Sequence, residues 1–231
     1  MKIHTEYAQG SLEWLVARSG IPTASEFDQI LTPEFKVRTG QMPASYLAKK
    51  VAEWWQGGPL PGFTGLDMDF GHILEDEALP WYELECGEKV QRVAFITNDE
   101  GTIGCSPDGL IGDDGGIEVK SPEAHTHVKY LLANEVPKDY IVQVHGSMYV
   151  TGRPWWKFLS YRRRFPMLVF TLERDDEIQE SIDTALRTFL AHFEAAKAYL
   201  IDLNGGPPKR SAITKQQPKI EDPAWVEDIM P

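Results

Sequence analysis

Ser106-Pro107-Asp108-Gly109-Leu110, followed by Ile117-Glu118-Val119-Lys120, is the stretch whose reading decides the fold. Between its two halves stands Asp113-Asp114-Gly115-Gly116, and the Asp114-Gly115 pair predicts a two-residue turn. Such a turn folds the chain back into a short hairpin and brings Asp108 close to Lys120. The period of two sends Ile117 and Val119 to one face and Glu118 and Lys120 to the other. One face is apolar and packs. The other carries an acid and a base side by side, with a second acid nearby. Two carboxylates, Asp108 and Glu118, suit a hard cation such as Mg²⁺ or Mn²⁺. A lysine beside that ion positions or deprotonates a water. The combination describes metal-assisted hydrolysis of a phosphodiester.

Outward from the hairpin, the pattern alternates helices and short strands. Residues 1–22 read as loop with a short helical piece around Ser11-Leu12-Glu13-Trp14-Leu15. Thr23-Ala24-Ser25-Glu26 reads as a capping box opening a helix through Phe27, Ile30 and Leu31. Residues 32–42 read as a polar loop, and Pro43 starts a helix with Tyr46, Leu47, Val51 and Trp54 on one face. A further helix is expected from Asp67 to Glu85, with Phe70, Leu74, Ala78 and Trp81 as its apolar stripe. Val90 to Thr97 reads as one strand. After the hairpin come helices from Glu123 to Ala133 and Asp139 to Val150, then strands from Trp155 to Tyr161 and Met167 to Leu172. A long amphipathic helix follows, with Ile178, Ile182, Leu186, Phe189 and Phe193 on one face. This order gives an α/β (α+β) domain with a small central mixed sheet flanked by helices, spanning residues 1–203. From Asn204 to Pro231 a polar tail is expected.

The 231 residues with 42% apolar content suffice for one large domain. Cys86 and Cys105 make no disulfide framework or metal-ligand spacing, which fits a reduced compartment. With no apolar signal core and no membrane-length run, the expected location is the cytoplasm. A net charge of −12 argues against an indiscriminate nucleic-acid coat, because phosphate binding needs local Lys and Arg. Arg162-Arg163-Arg164, with Arg153 and Lys157 upstream, is one such local cluster; it reads either as a DNA-facing rim or as a solvated strand end. His125-Thr126-His127 and His145 have no Cys/His set to complete a zinc site. No GxxxxGK[ST] loop supports a nucleotide-driven motor.

Asp108 followed ten residues later by Glu118-x-Lys120 resembles the PD-(D/E)XK nuclease superfamily. Further blocks occur in order: Trp14-Leu15-Val16-Ala17-Arg18, Thr23-Ala24-Ser25-Glu26, Phe70-Gly71-His72-Ile73-Leu74-Glu75-Asp76-Glu77-Ala78, Cys105 to Leu110, Gly116 to Pro122, and Gln143 to Thr151. This order resembles the phage lambda exonuclease and YqaJ-type viral recombinase branch, from about Trp14 to residue 200. His145 and Gly146 depart from its more typical residues.

The resemblance implies a PD-(D/E)XK core and a Mg²⁺-dependent exonuclease that digests one strand of linear duplex DNA from a 5′-phosphorylated end. It implies a ring-shaped homotrimer around DNA and single-stranded product for a partner annealing protein. It assigns the metal to Asp108, Glu118, the Val119 carbonyl and Glu75, and the attacking water to Lys120. Gln143 matches the glutamine at the scissile region. Arg18, Ser25 and Ser106 match the residues receiving the terminal 5′-phosphate, a role suited to a bidentate guanidinium and to the first turn of a helix. A structure-specific endonuclease, an inactive DNA-end-binding module and a structural protein without DNA contact are the competing readings.

Overall fold

The computed structural model describes residues 1–61 and 66–207, with residues 66–73 and 75 described by their backbone. In chain order the elements are β1 (Lys2–His4), α1 (Leu12–Arg18), a 3-10 helix (Ala24–Gln29), α2 (Gln41–Gln56), α3 (Leu66–Cys86), β2 (Val90–Gln91), β3 (Phe95–Thr97) and β4 (Gly104–Cys105). Then follow β5 (Gly109–Ile111), β6 (Gly115–Lys120), α4 (Ala124–Ala133), α5 (Lys138–Thr151), β7 (Trp155–Ser160), β8 (Leu168–Glu173) and α6 (Asp176–Asn204). A five-stranded sheet runs β2-β5-β6-β7-β8, and a three-stranded one runs β1-β3-β4. In the larger sheet β6 and β7 pair parallel and the other neighbours antiparallel, so the sheet is mixed as expected. Parallel neighbours need a crossover, and α4 with α5 supplies it.

The two faces of the larger sheet are both covered. Trp156 and Phe158 of β7 enter a core with Phe27, Met148 of α5, and Ile182, Leu186, Phe189 and Phe193 of α6. Ile117 and Val119 of β6 point the other way, to Ala78, Leu79 and Tyr82 of α3. The period of two therefore holds along β6, but both faces of the strand are buried.

Several expectations are corrected. The N-terminal stretch is not all loop, because β1 pairs with β3. The expected strand 90–97 is two strands in different sheets, since β2 pairs with β5 and β3 with β1 and β4. The fully apolar run Val93 to Ile96 is buried, whereas Gln91 and Arg92 are exposed, so the stretch never alternates as one half-buried strand would. Thr23 precedes a 3-10 helix without capping it by its side chain; its hydroxyl is engaged elsewhere. α2 begins at Gln41, two residues before Pro43. Trp81 is 50% exposed, because the buried stripe of α3 centres on Ala78 and Tyr82 and leaves Trp81 at its rim. The side chains of Phe70 and Glu75, and the tail from residue 208, lie outside the described residues.

The turn at Asp114-Gly115 is also displaced. Ile111 pairs with Gly115, so residues 112–114 make the loop, with Gly112 at φ 54°. Gly115 and Gly116 are strand residues, and a Cβ on either would fall inside the Trp155 or Trp156 ring of the neighbouring strand. Their lack of a side chain serves packing rather than turning.

Gly146 plays a similar part on α5. A Cβ there would lie 2.7 Å from Phe27 and 3.2 Å from Ala24 of the 3-10 helix. The missing side chain at this position thus lets the two helices touch. Gly146→Val is expected to destabilise the protein by about 1–3 kcal/mol through overpacking, read as a lower urea midpoint.

Candidate active site

β5 and β6 place the two carboxylates. Asp108 stands just before β5, and its Oδ2 accepts a hydrogen bond from the Val119 backbone N–H at 2.6 Å. Asp108 is thereby pinned beside β6, at the residue next to Lys120. Arg153 locks the hairpin from its far end by donating to the carbonyls of Ile111, Gly112 and Gly115. Arg153 is buried, so it is a structural clasp and not part of a DNA-facing rim.

Glu118 is only 3% exposed. Its Oε1 accepts from Lys120 Nζ at 2.6 Å and from Gln143 Nε2 of α5. Its Oε2 is buried without a hydrogen-bond partner among the described residues. An unmatched buried carboxylate oxygen is a strong candidate for binding a cation. Lys120 Nζ also lies 5.4 Å from the centre of the Tyr140 ring, which stacks on Phe158 at 5.4 Å. Asp108, Glu118, Lys120 and Gln143 thus converge. The Asp108 and Glu118 carboxylates fit a hard divalent cation, and no set of three Asp, Glu, His or Cys groups is formed among the described residues.

A second cluster lies two residues upstream of Asp108. Arg18, in the last turn of α1, donates to Ser106 Oγ at 3.3 Å, Thr23 Oγ1 at 3.2 Å and Ser25 Oγ at 3.1 Å. Its guanidinium carbon sits 4.1 Å above the Trp14 ring. Trp14 Nε1 donates in turn to Ser106 Oγ at 3.1 Å and to the Ala94 carbonyl at 2.9 Å. Arg18, Ser25 and Ser106, which the family resemblance groups, therefore meet. Thr23 and Trp14 are the members that sequence reasoning missed. In the sequence Thr23 reads as a cap, and the spacing of Trp14 and Arg18 on one helix face is the available signal. The three hydrogen bonds of Arg18 end on neutral hydroxyls, a setting that favours an incoming anion.

Beneath this cluster Glu26 accepts from Lys49 Nζ at 2.6 Å and pairs with Lys50 Nζ at 2.8 Å, while Glu53 pairs with Lys50 at 3.1 Å. Burial would raise the Glu26 carboxyl, but Lys50 and Lys49 outweigh it and hold its pKa down at about 2. This network fastens the 3-10 helix, and with it Ser25, to α2.

Arg162 pairs with Glu123 at 3.4 Å, and Arg163 pairs with Glu77. Arg164 is exposed with φ 69°. His127 is buried, its ring nitrogens bonded to Ser160 Oγ at 2.8 Å and the Pro166 carbonyl at 3.0 Å, and burial lowers the His145 pKa. Both are packing histidines.

A mixed sheet flanked by helices in this order is shared with phage-type exonucleases. The chain is similar to an alkaline exonuclease, LHK-Exo, from Laribacter hongkongensis: TM-score 0.76, 32% identity, 84% of this chain and 98% of that one. The same coverage holds for that enzyme in complex with dAMP. A phage-related exonuclease from Haemophilus somnus 129PT, 12% identical over 78% of this chain and 96% of its own, shares the fold at TM-score 0.58. The chain belongs to the YqaJ-like viral recombinase domain family, whose model matches residues 13–154. No curated protein sequence matches it. Among the described residues, no helix is long and apolar enough to cross a membrane.

The depressed Glu26 pKa gives a signed expectation. Its contribution to stability is complete above the ordinary value of 4.5 and is lost as pH falls toward about 2. Glu26→Gln is expected to lower stability at pH 7 by roughly 2–4 kcal/mol and to flatten the acid limb, as measured by urea unfolding across pH.

Proposed function

We propose that the chain is a Mg²⁺-dependent exonuclease, with Mn²⁺ able to substitute, that digests one strand of linear duplex DNA from a 5′-phosphorylated end. The carrying observation is that Arg18, bonded to three hydroxyls, shares Ser106 with a stretch that reaches the candidate metal carboxylate Asp108 two residues later. Membership of a viral recombinase family and similarity to an alkaline exonuclease support this reading.

Asp108, Glu118, the Val119 carbonyl and Glu75 would hold the cation. When bound, it supplies Lewis-acid polarisation of the phosphoryl oxygen and a water acidified toward neutral pH. Lys120 orients the attacking water and offsets charge developing on the phosphorane oxygens. Gln143 fixes the Glu118 carboxylate and reaches the scissile region. Arg18, with Ser25, Ser106 and Thr23, receives the 5′-terminal phosphate and so sets where cutting starts. Arg162, Arg163 and Arg164 belong to the reading as weaker contacts to the duplex backbone. A homotrimeric ring, delivery of single-stranded DNA to an annealing protein and work in the cytoplasm complete the proposal.

Glu118→Gln and Lys120→Ala are each expected to reduce degradation of linear duplex at least about 100-fold, with Glu118→Gln keeping a melting temperature near that of the parent and Lys120→Ala lowering it, because it strands a buried carboxylate. Wild-type protein is expected to leave closed circular DNA intact. Cleavage of circles at the linear rate would reject end-directed action and favour an endonuclease. Arg18→Ala is expected to raise KM for 5′-phosphorylated ends about tenfold or more and to leave 5′-hydroxyl ends little changed, as read from initial rates.

A further inference from the structure

Between α3 and the turn that joins β7 to β8 lies a hollow of about 640 Å³, lined by none of the residues of the carboxylate site or the Arg18 cluster. Its walls include Trp81 of α3 and Arg163, Arg164, Phe165 and Met167 of the turn. Met167 packs inward against the cluster that holds Tyr82. The other apolar groups face solvent. Trp81 is 50% exposed, Phe165 37%, and Leu84, one turn along α3 from Trp81, 75%. Two aromatic rings on one hollow, with a leucine one turn away, form a patch rather than scattered apolar residues, and such a patch marks an interaction surface.

The turn that presents these groups is fixed. The Phe165 N–H donates to the Arg162 carbonyl at 3.1 Å, and the Phe165 ring meets His127 edge-on at 5.8 Å. Arg163 is held by Glu77, which also accepts from the Tyr161 hydroxyl at 2.6 Å. Arg164 takes φ 69°, a conformation that costs energy for a residue with a side chain. The ion pairs described for this turn belong to Arg162 and Arg163, not to Arg164. Glu85 lines the hollow from α3, so the charge that suits a carboxylate lies on the turn side. The hollow thus offers aromatic surface beside one cation.

The chain itself contains a segment of matching chemistry. Glu221-Asp222-Pro223-Ala224-Trp225-Val226-Glu227-Asp228-Ile229-Met230 joins four acids to an indole and three larger apolar side chains. It lies well beyond residue 154, where the family match ends. The stretch from Pro207 to Trp225 spans at most about 60 Å. A folded chain of this length is roughly 45 Å across, so the tether is long enough to bring Trp225 to a face remote from the end of α6. A segment tethered at such range meets its site at an effective concentration on the order of 1 mM, so modest complementarity keeps the site filled. We propose that the hollow is the docking site of this C-terminal segment of the same chain. Its apolar side chains cover Trp81 and Phe165, and its carboxylates meet Arg164. Docking there is independent of the exonuclease reading, and while seated the segment takes the place at Arg164 that this reading gives to duplex phosphate.

The test uses the full chain with a bimane dye on Cys86, which is exposed and adjoins the lining residue Glu85, whereas Cys105 is buried. Tryptophan quenches bimane at close range and phenylalanine does not. Trp225→Phe is expected to raise the emission about twofold, because a docked segment holds its indole beside the dye. The same change is expected to have no effect in a Trp81→Ala background, which removes the apolar wall, and a reduced effect in an Arg164→Glu background. Equal emission from the parent and Trp225→Phe overturns the docking. A difference that persists undiminished in both backgrounds overturns the seat in this hollow. Quenching of labelled Trp225→Phe protein on mixing with unlabelled parent assigns the hollow to the tail of a second copy and overturns docking within one chain.

Discussion

The burial of Glu118 is the constraint on which the rest of the structure depends. A carboxylate 3% exposed in the middle of a sheet is unfavourable unless neighbouring groups meet its charge. Lys120 on the same face of β6 and Gln143 on α5 satisfy one oxygen, and the other is left without a partner among the described residues. The topology that delivers these groups is itself dictated by β6. Its antiparallel neighbour β5 carries Asp108 to the Val119 N–H. Its parallel neighbour β7 requires a crossover, and the second helix of that crossover brings Gln143. Stability favours a partner for the second Glu118 oxygen, and the proposed chemistry reserves that oxygen for a cation.

The Arg18 cluster is built from different elements but is tied to the stretch that leads into Asp108. α1 supplies Trp14 and Arg18, the 3-10 helix supplies Ser25, and the segment after β4 supplies Ser106. Gly104 donates to the Pro22 carbonyl at 3.0 Å, which ties the approach to the 3-10 helix directly to β4. Glu26 with Lys49 and Lys50 fixes that helix to α2 from beneath. In a chain of net charge −12, a single guanidinium with hydroxyl neighbours concentrates the attraction for phosphate at one point. On the proposed function, that focusing favours an end over the duplex as a whole.

The helices and strands after residue 104 were legible because their patterns are strong: Asp108 to Lys120 around a glycine-rich turn, Pro122 after β6, and the Ile182-Leu186-Phe189-Phe193 face of α6. The exact turn was not, because the Gly115-Gly116 pair answers to the indoles of β7, a non-local demand. Trp81 was placed in the core because spacing does not say where a buried stripe is centred. The split of residues 90–97 between two sheets depends on partners distant in sequence. Arg18, Ser25 and Ser106 were legible only through a family likeness; Thr23 and Trp14 join them through side-chain bonds that no local pattern reports.

Digestion of a linear duplex carrying a 5′-phosphate on one strand only, followed strand by strand in Mg²⁺ and in EDTA, tests the central claim most directly. The account predicts progressive loss of the phosphorylated strand in Mg²⁺, survival of its complement as single-stranded DNA, and no loss in EDTA. Equal loss of both strands, internal cuts without regard to the end, or digestion that persists in EDTA would contradict it.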